Sequence, residues 1–123
     1  MDVAERPRVV CLCGSLRFLD LFGSERRRLT ARGVIVLAPE AIGEELTPAT
    51  REALGELHLR RIDLADEVRV VSDGGYVGAA TRREIAYARE KHKVISFVEP
   101  DVGRAGSAHG HWNAGSPDPA SRS

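Results

Sequence analysis

"EVRVVSDGGYVGAATRREIAYA", Glu67 to Ala88, passes from strand to turn to helix without a break. Glu67 to Ser72 has the β-branched, apolar character of a buried strand. Gly74, Gly75 and Gly78 then place three glycines within five residues, a strong turn signal. From Thr81 to Lys91 the residues suit a helix whose first turn carries Thr81 and Glu84. Their Thr-x-x-Glu spacing is that of a capping box, in which the glutamate reaches back to the N-cap N–H. The same glutamate also borders a glycine turn, where backbone can approach a ligand closely. Spacing leaves both uses open.

Working outward, "RVVCLC" (Arg8 to Cys13), "VIVLAP" (Val34 to Pro39) and "KVISFV" (Lys93 to Val98) read as three more buried strands. The helix after Gly14-Ser15 carries a stripe of Phe18, Leu21, Phe22, Glu25 and Leu29, and Gly33 ends it. Residues 40–46 form a loop, and Thr47-Pro48 opens a helix running to about Ala65, with Leu54, Leu57, Ile62 and Ala65 inward. Alternating strands and helices require right-handed crossovers and a sheet between two helical layers. The predicted fold is a doubly wound, three-layer α/β sandwich with a parallel sheet of four to five strands, order 2-1-3-4. Residues 1–100 form the one domain. Of the 23 residues from Asp101 to Ser123, ten are Gly, Ser or Pro, the composition of a flexible tail.

The 123 residues carry 18 basic and 18 acidic side chains, so a nucleic acid polymer is not the expected partner, although a small anion is compatible. No apolar run approaches the ~20 residues that span a bilayer, and "MDVAERPR" lacks the hydrophobic stretch of a secretory signal. A cytoplasmic protein without membrane contact is expected. Cys11 and Cys13 lie two apart on one strand and point to one face, where a disulfide between them would be strained. They read as buried free thiols, with redox or metal use as the alternative.

In a doubly wound sheet ligands bind at the carboxyl ends of the strands, where the strand order reverses. With order 2-1-3-4 the reversal lies between strands one and three, and the loops there are "CGSLR" and "SDGGYVGAAT". Backbone N–H groups and helix dipoles at such loops favour phosphate, carboxylate or a polar sugar. Ser15 adds a hydroxyl and Arg17 a fixed positive charge; the plain alternative is that Gly14 and Ser15 turn the chain and cap a helix. A Glu84 carboxylate kept ionised by the helix dipole suits attack on a cationic sugar carbon.

"VCLCGSLR", "LADEVRVVS" and "GGYVGAATRREIAYA", in that order and at these separations, resemble the nucleoside 2-deoxyribosyltransferase superfamily. That group includes 2′-deoxynucleoside 5′-monophosphate N-glycosidases and cytidylate hydrolases of antibiotic pathways. The similarity covers Arg8 to Val98. It implies that Glu84 is the nucleophile that attacks C1′ and releases the base. It also implies that Gly14, Ser15, Leu16 and Arg17 lie along the sugar and its 5′ substituent, with Gly75, Tyr76, Gly78 and Thr81 across from them. "CGSLR" resembles the phosphate-binding version found in monophosphate hydrolases, which points to a nucleotide substrate. No metal or redox cofactor is implied, and a homodimer is.

The chain also departs from that pattern. His58 stands where many members carry an acidic residue on the second helix. A histidine there offers a proton to a departing base nitrogen, but four-residue spacing from Ile62 equally suits a packed position. Asp63 is a candidate replacement acid or an exposed residue. Gly78 replaces an acidic or hydroxyl side chain, for which Asp73 or Tyr76 could substitute; Tyr76 could stack on the base or pack on a neighbouring subunit. Members commonly complete the site from a partner's C-terminal region, where His109, His111, Trp112 and Asn113 are the candidates; His109 and His111 lack further zinc ligands. "GGYVGAATRRE" also resembles the GG-x-G-T-x-x-E signature of cytokinin-activating phosphoribohydrolases, with two residues inserted before the threonine. Three functions fit: an N-glycosidase of nucleoside 5′-monophosphates, a base-exchanging deoxyribosyltransferase, or a catalytically silent nucleotide-binding module.

Overall fold

The computed structural model describes residues 6–98, so the expected tail and its His109, His111, Trp112 and Asn113 lie outside the described residues. Strands β1 (Val9–Gly14), β2 (Ile35–Leu37), β3 (Glu67–Val71) and β4 (Val94–Val98) form one parallel sheet in the order β2-β1-β3-β4. A short 3-10 turn (Leu16–Phe18) leads into α1 (Leu19–Ala31); α2 (Pro48–Leu64) and α3 (Ala79–Glu90) make the other crossovers. This is the predicted doubly wound arrangement. Among the described residues no helix is long and apolar enough to cross a membrane.

Strand alternation sorts the core into two layers. Cys11, Cys13, Val68 and Val70 face Ile62 and Ala65 at the end of α2 and Ile85 and Ala88 of α3. Val10, Leu12 and Val71 face Phe22 and Leu29 of α1. Arg69 shares that second face, which explains Glu25 in the α1 stripe: Glu25 is buried and accepts from Arg28 and Arg69. Arg69 also donates to Ser96 at 2.9 Å, whose hydroxyl donates to Glu67, itself paired with Arg8. A polar chain therefore runs from α1 across β3 and β4 to Arg8, just before β1.

The helix ends follow local chemistry. Thr47 accepts from the Thr50 N–H at 3.1 Å and Pro48 opens α2. At the end of α1 the Val34 N–H bonds to the Leu29 carbonyl, with Gly33 at φ 83°. The end of α3 repeats this closure with Lys93 bonding Ala88, but His92 occupies the left-handed position at φ 61°.

Two expectations are corrected. Helix α3 begins at Ala79 with Gly78 as N-cap, so Thr81 is its third residue and Glu84 stands in the second turn. Without Thr81 at the cap there is no capping box. On α2, Leu57 is 45% exposed, and His58 takes the buried position one turn before Ile62.

Replacing Glu25, whose side chain is 7% exposed, by Gln is expected to cost about 2 kcal/mol in urea unfolding at pH 7. Burial works to raise the Glu25 carboxyl, but hydrogen bonds from Arg28 and Arg69 outweigh it and hold it below its ordinary value. Its stabilisation is thus complete above the unfolded pKa and is lost as pH falls through the folded one. The gap between wild type and Glu25→Gln should close on acidification; a pH-independent gap would remove the charge from the account. At the other helix end, His92→Gly relieves a left-handed non-glycine residue and should stabilise by roughly 0.5–1 kcal/mol, read as a raised Tm.

Candidate active site

The site begins with a close approach of two strands. Gly14 pairs with Val71 at the last register position of β1 and β3, and a Cβ built on Gly14 would lie 2.4 Å from the Val71 carbonyl oxygen. Only glycine lets the strands run together to their ends. Past that point, the Ser15 hydroxyl oxygen accepts from the Arg17 N–H at 3.2 Å and starts the 3-10 turn. After β3, Gly74 and Gly75 adopt φ of 70° and 80°, the left-handed conformation that folds the second loop back. The two loops meet through rings. Phe18 and Tyr76 stand edge to face with centroids 5.9 Å apart, and the Arg17 guanidinium lies 4.4 Å from the Tyr76 ring centroid.

Between these loops and α2 opens a cavity of about 580 Å³, within the range of small-molecule sites. Gly14, Ser15 and Leu16 form one wall, and Gly78, Thr81 and Glu84 the wall along α3. His58 and Tyr76 close it further, so eight of the expected site residues converge here. Gly75 shapes the turn without lining the cavity, and Arg17 packs on the Tyr76 ring and is not part of the lining. Asp63 is directed elsewhere: it accepts from the Tyr87 hydroxyl at 2.6 Å and pairs with Arg60 at 3.2 Å.

Sequence reasoning missed Arg51 and Arg61, the two arginines of the lining, and the apolar Ile42 and Leu46 from the 40–46 loop. The arginines were findable. Arg51, Leu54, His58 and Arg61 follow one another at helical spacing on a single face of α2, and all four line the cavity.

At the deep end lies a polar cluster inside an apolar core. His58 Nε2 is 3.3 Å from Cys13 Sγ, 3.8 Å from Cys11 Sγ and 4.0 Å from Glu84 Oε1. Its Nδ1 is 3.2 Å from Arg61, which can only donate, so in the neutral ring Nδ1 accepts and the proton sits on Nε2. Both ring nitrogens therefore have protein partners. The Glu84 side chain is 13% exposed, and burial raises its carboxyl above the ordinary value against the pull of His58. The expectation that the helix dipole keeps this carboxylate ionised is thereby corrected: Glu84 lies beyond the first turn, and desolvation governs it. The thiols split, with the hydrogen bond from Cys13 drawing Cys11 down to about 6 and Cys13 itself pushed up. Burial disfavours the His58 imidazolium, but Cys11 and Glu84 beside Nε2 outweigh it and raise its pKa.

By sequence, no family model and no curated protein matches the chain. By structure, it is similar to the 2-desoxiribosyltransferase from Leishmania mexicana, with a TM-score of 0.59 at 18% identity over 82% of this chain and 73% of that one. It is also similar to a conserved protein from Enterococcus faecalis V583, with a TM-score of 0.55 at 18% identity over 74% of this chain. The match spans 62% of the enterococcal protein's length. At such identities the likeness is one of fold, a doubly wound parallel sheet.

The Gly14–Val71 approach carries its own test. Gly14→Ala is expected to cost roughly 3 kcal/mol in thermal unfolding, because the new methyl meets backbone rather than a movable side chain. A loss below about 0.5 kcal/mol would show that β3 gives way freely.

Proposed function

We propose that the protein is an N-glycosidase acting on a nucleoside 5′-monophosphate, with Glu84 as the nucleophile. The observation that carries this reading is a carboxylate at the deep end of a nucleotide-sized cavity, at the point where strand order reverses. Its nearest basic partner among the described ion pairs is His58 at 4.0 Å, too far for a direct hydrogen bond. Glu84 also lines the cavity, so its carboxylate keeps a face toward a bound substrate.

In the proposed reaction a Glu84 oxygen bonds to C1′ as the C1′–N bond breaks, and the electron pair leaves with the base, which takes a proton from water. Water then attacks C1′ of the glycosyl ester and restores the carboxylate. His58 is better suited to setting the charge of Glu84 than to protonating the base, since neither ring nitrogen is turned free into the cavity. Ser15 and the two arginines, Arg51 and Arg61, supply the donors for ribose and phosphate, and Leu54, Ile42 and Leu46 an apolar seat for the base.

A base-exchanging transferase shares the first half of this reaction, and the fold likeness to a deoxyribosyltransferase favours keeping it in view. The two are separated by supplying a second base as acceptor. Purified protein is incubated with nucleosides and their 5′-monophosphates, in ribo and deoxy form, and free base is followed by chromatography. Release is expected from a monophosphate and to fall about a thousandfold or more in Glu84→Gln, which retains ligand binding. Equal turnover by the Gln variant would remove Glu84 from the mechanism, and binding without release of any base would leave a nucleotide-binding module.

A further inference from the structure

We propose that Cys11, Cys13 and His58 form a binding site for a thiophilic divalent cation of the zinc class, with Glu84 at the fourth position. The proposal stands apart from the glycosidase reading, because it concerns what the cluster binds and not what the cavity turns over.

Geometry carries it. Cys11 Sγ, Cys13 Sγ and His58 Nε2 all lie within 4.8 Å of one another. Zinc bonds of about 2.3 Å to sulfur and 2.0–2.1 Å to nitrogen, opened to a tetrahedral angle, place sulfur and nitrogen roughly 3.5 Å apart. The two observed separations, 3.3 Å and 3.8 Å, bracket that value. Same-face alternation along β1 aims both sulfurs at one nitrogen, and α2 brings that nitrogen in from the opposite layer. Glu84 Oε1 stands 4.0 Å from Nε2, so a small side-chain movement completes four ligands from two strand positions and two helices. Inert buried cysteines need no such convergence. Here a histidine fills an inward position beside a buried cluster of valine, isoleucine, alanine and cysteine.

The ion has a route in, since His58 and Glu84 both line the open cavity. Binding balances simply: the two thiols lose their protons to solvent, the sulfurs and Nε2 each donate a lone pair, and no electron transfer is involved. One contact opposes it. Arg61 donates to Nδ1 at 3.2 Å, and a metal on Nε2 moves the ring proton to Nδ1, so Arg61 must withdraw. A metal-bound histidine ordinarily gives that proton to an acceptor, which makes Arg61→Gln a tightening substitution.

The test uses the full chain, purified with a reductant, stripped with a chelator and titrated with Co(II) and then Zn(II). One Co(II) per chain is expected, with thiolate-to-metal charge-transfer absorption and the visible bands of a tetrahedral site, both lost on adding Zn(II). Cys13→Ser and Cys11→Ser should each weaken binding by more than about a hundredfold, Glu84→Gln by about tenfold, and Arg61→Gln should strengthen it. The double variant His109→Ala, His111→Ala should bind as wild type. Circular dichroism establishes that each variant is folded; if either serine variant is not, His58→Gln serves in its place. Absence of Co(II) binding, binding without the thiolate band, or loss of binding only in the His109/His111 variant would overturn the proposal. On the glycosidase reading the same ion engages the attacking carboxylate and zinc inhibits base release, but the spectral titration succeeds or fails without reference to turnover.

Discussion

The site depends on β1 and β3 lying side by side up to their final residues. Gly14 against Val71 is where that contact is tightest, and it has no room for a side chain. Because the strands do not part early, the two loops leave the sheet as neighbours, and the ring contact of Phe18 with Tyr76 joins them. The reversal of strand order supplies the hollow beside them, because β2 and β4 leave in opposite directions from this central pair. A sheet of the same composition with another strand order would carry the same residues and no cavity between them.

On that frame α2 performs two tasks with adjoining faces. Ile62 and the following Ala65 close the core, while Arg51, Leu54, His58 and Arg61 line the cavity. His58 belongs to both, buried among the core residues yet part of the cavity wall. The opposite side of the sheet is simpler. There α1 packs through Phe22 and Leu29, and the Glu25–Arg69–Ser96–Glu67 chain extends polar pairing toward β4.

The fold was legible because its signals are local. β-branched runs gave the strands, Thr47-Pro48 the start of α2, and Gly33 the end of α1. The alternation of elements then implied the parallel sheet and its order. The start of α3 misled because Thr81 and Glu84 imitate a capping box, whereas Ala79 and Ala80 are good helix formers and carry the helix back to Gly78. Leu57 misled for a related reason. Hydrophobicity favours it over His58 as the inward residue, but phase with Ile62 puts His58 inside, where it has the cysteines as partners. Arg51 and Arg61 were not singled out, although they share the face of Leu54. The meeting of Cys11 and Cys13 with His58 was not readable at all, since 47 and 45 positions separate them and only the crossover joins them.

The cluster also bears on how Glu84 is charged. Three titratable groups meet around the Nε2 of a fourth, His58, and they shift one another: burial lifts the Glu84 carboxyl, His58 pulls it back, and Cys11 and Cys13 divide in opposite directions. Under such coupling a proton belongs to the set and not to one residue. Burial leads in setting the charge of Glu84, and His58 beside it opposes the shift, with its Nδ1 turned to Arg61 and its Nε2 toward the carboxylate. A helix terminus would have fixed that charge by itself, independent of anything else in the site. Placement one turn further into α3 leaves that charge to burial, with the ring and the thiols behind it adding smaller shifts of both signs.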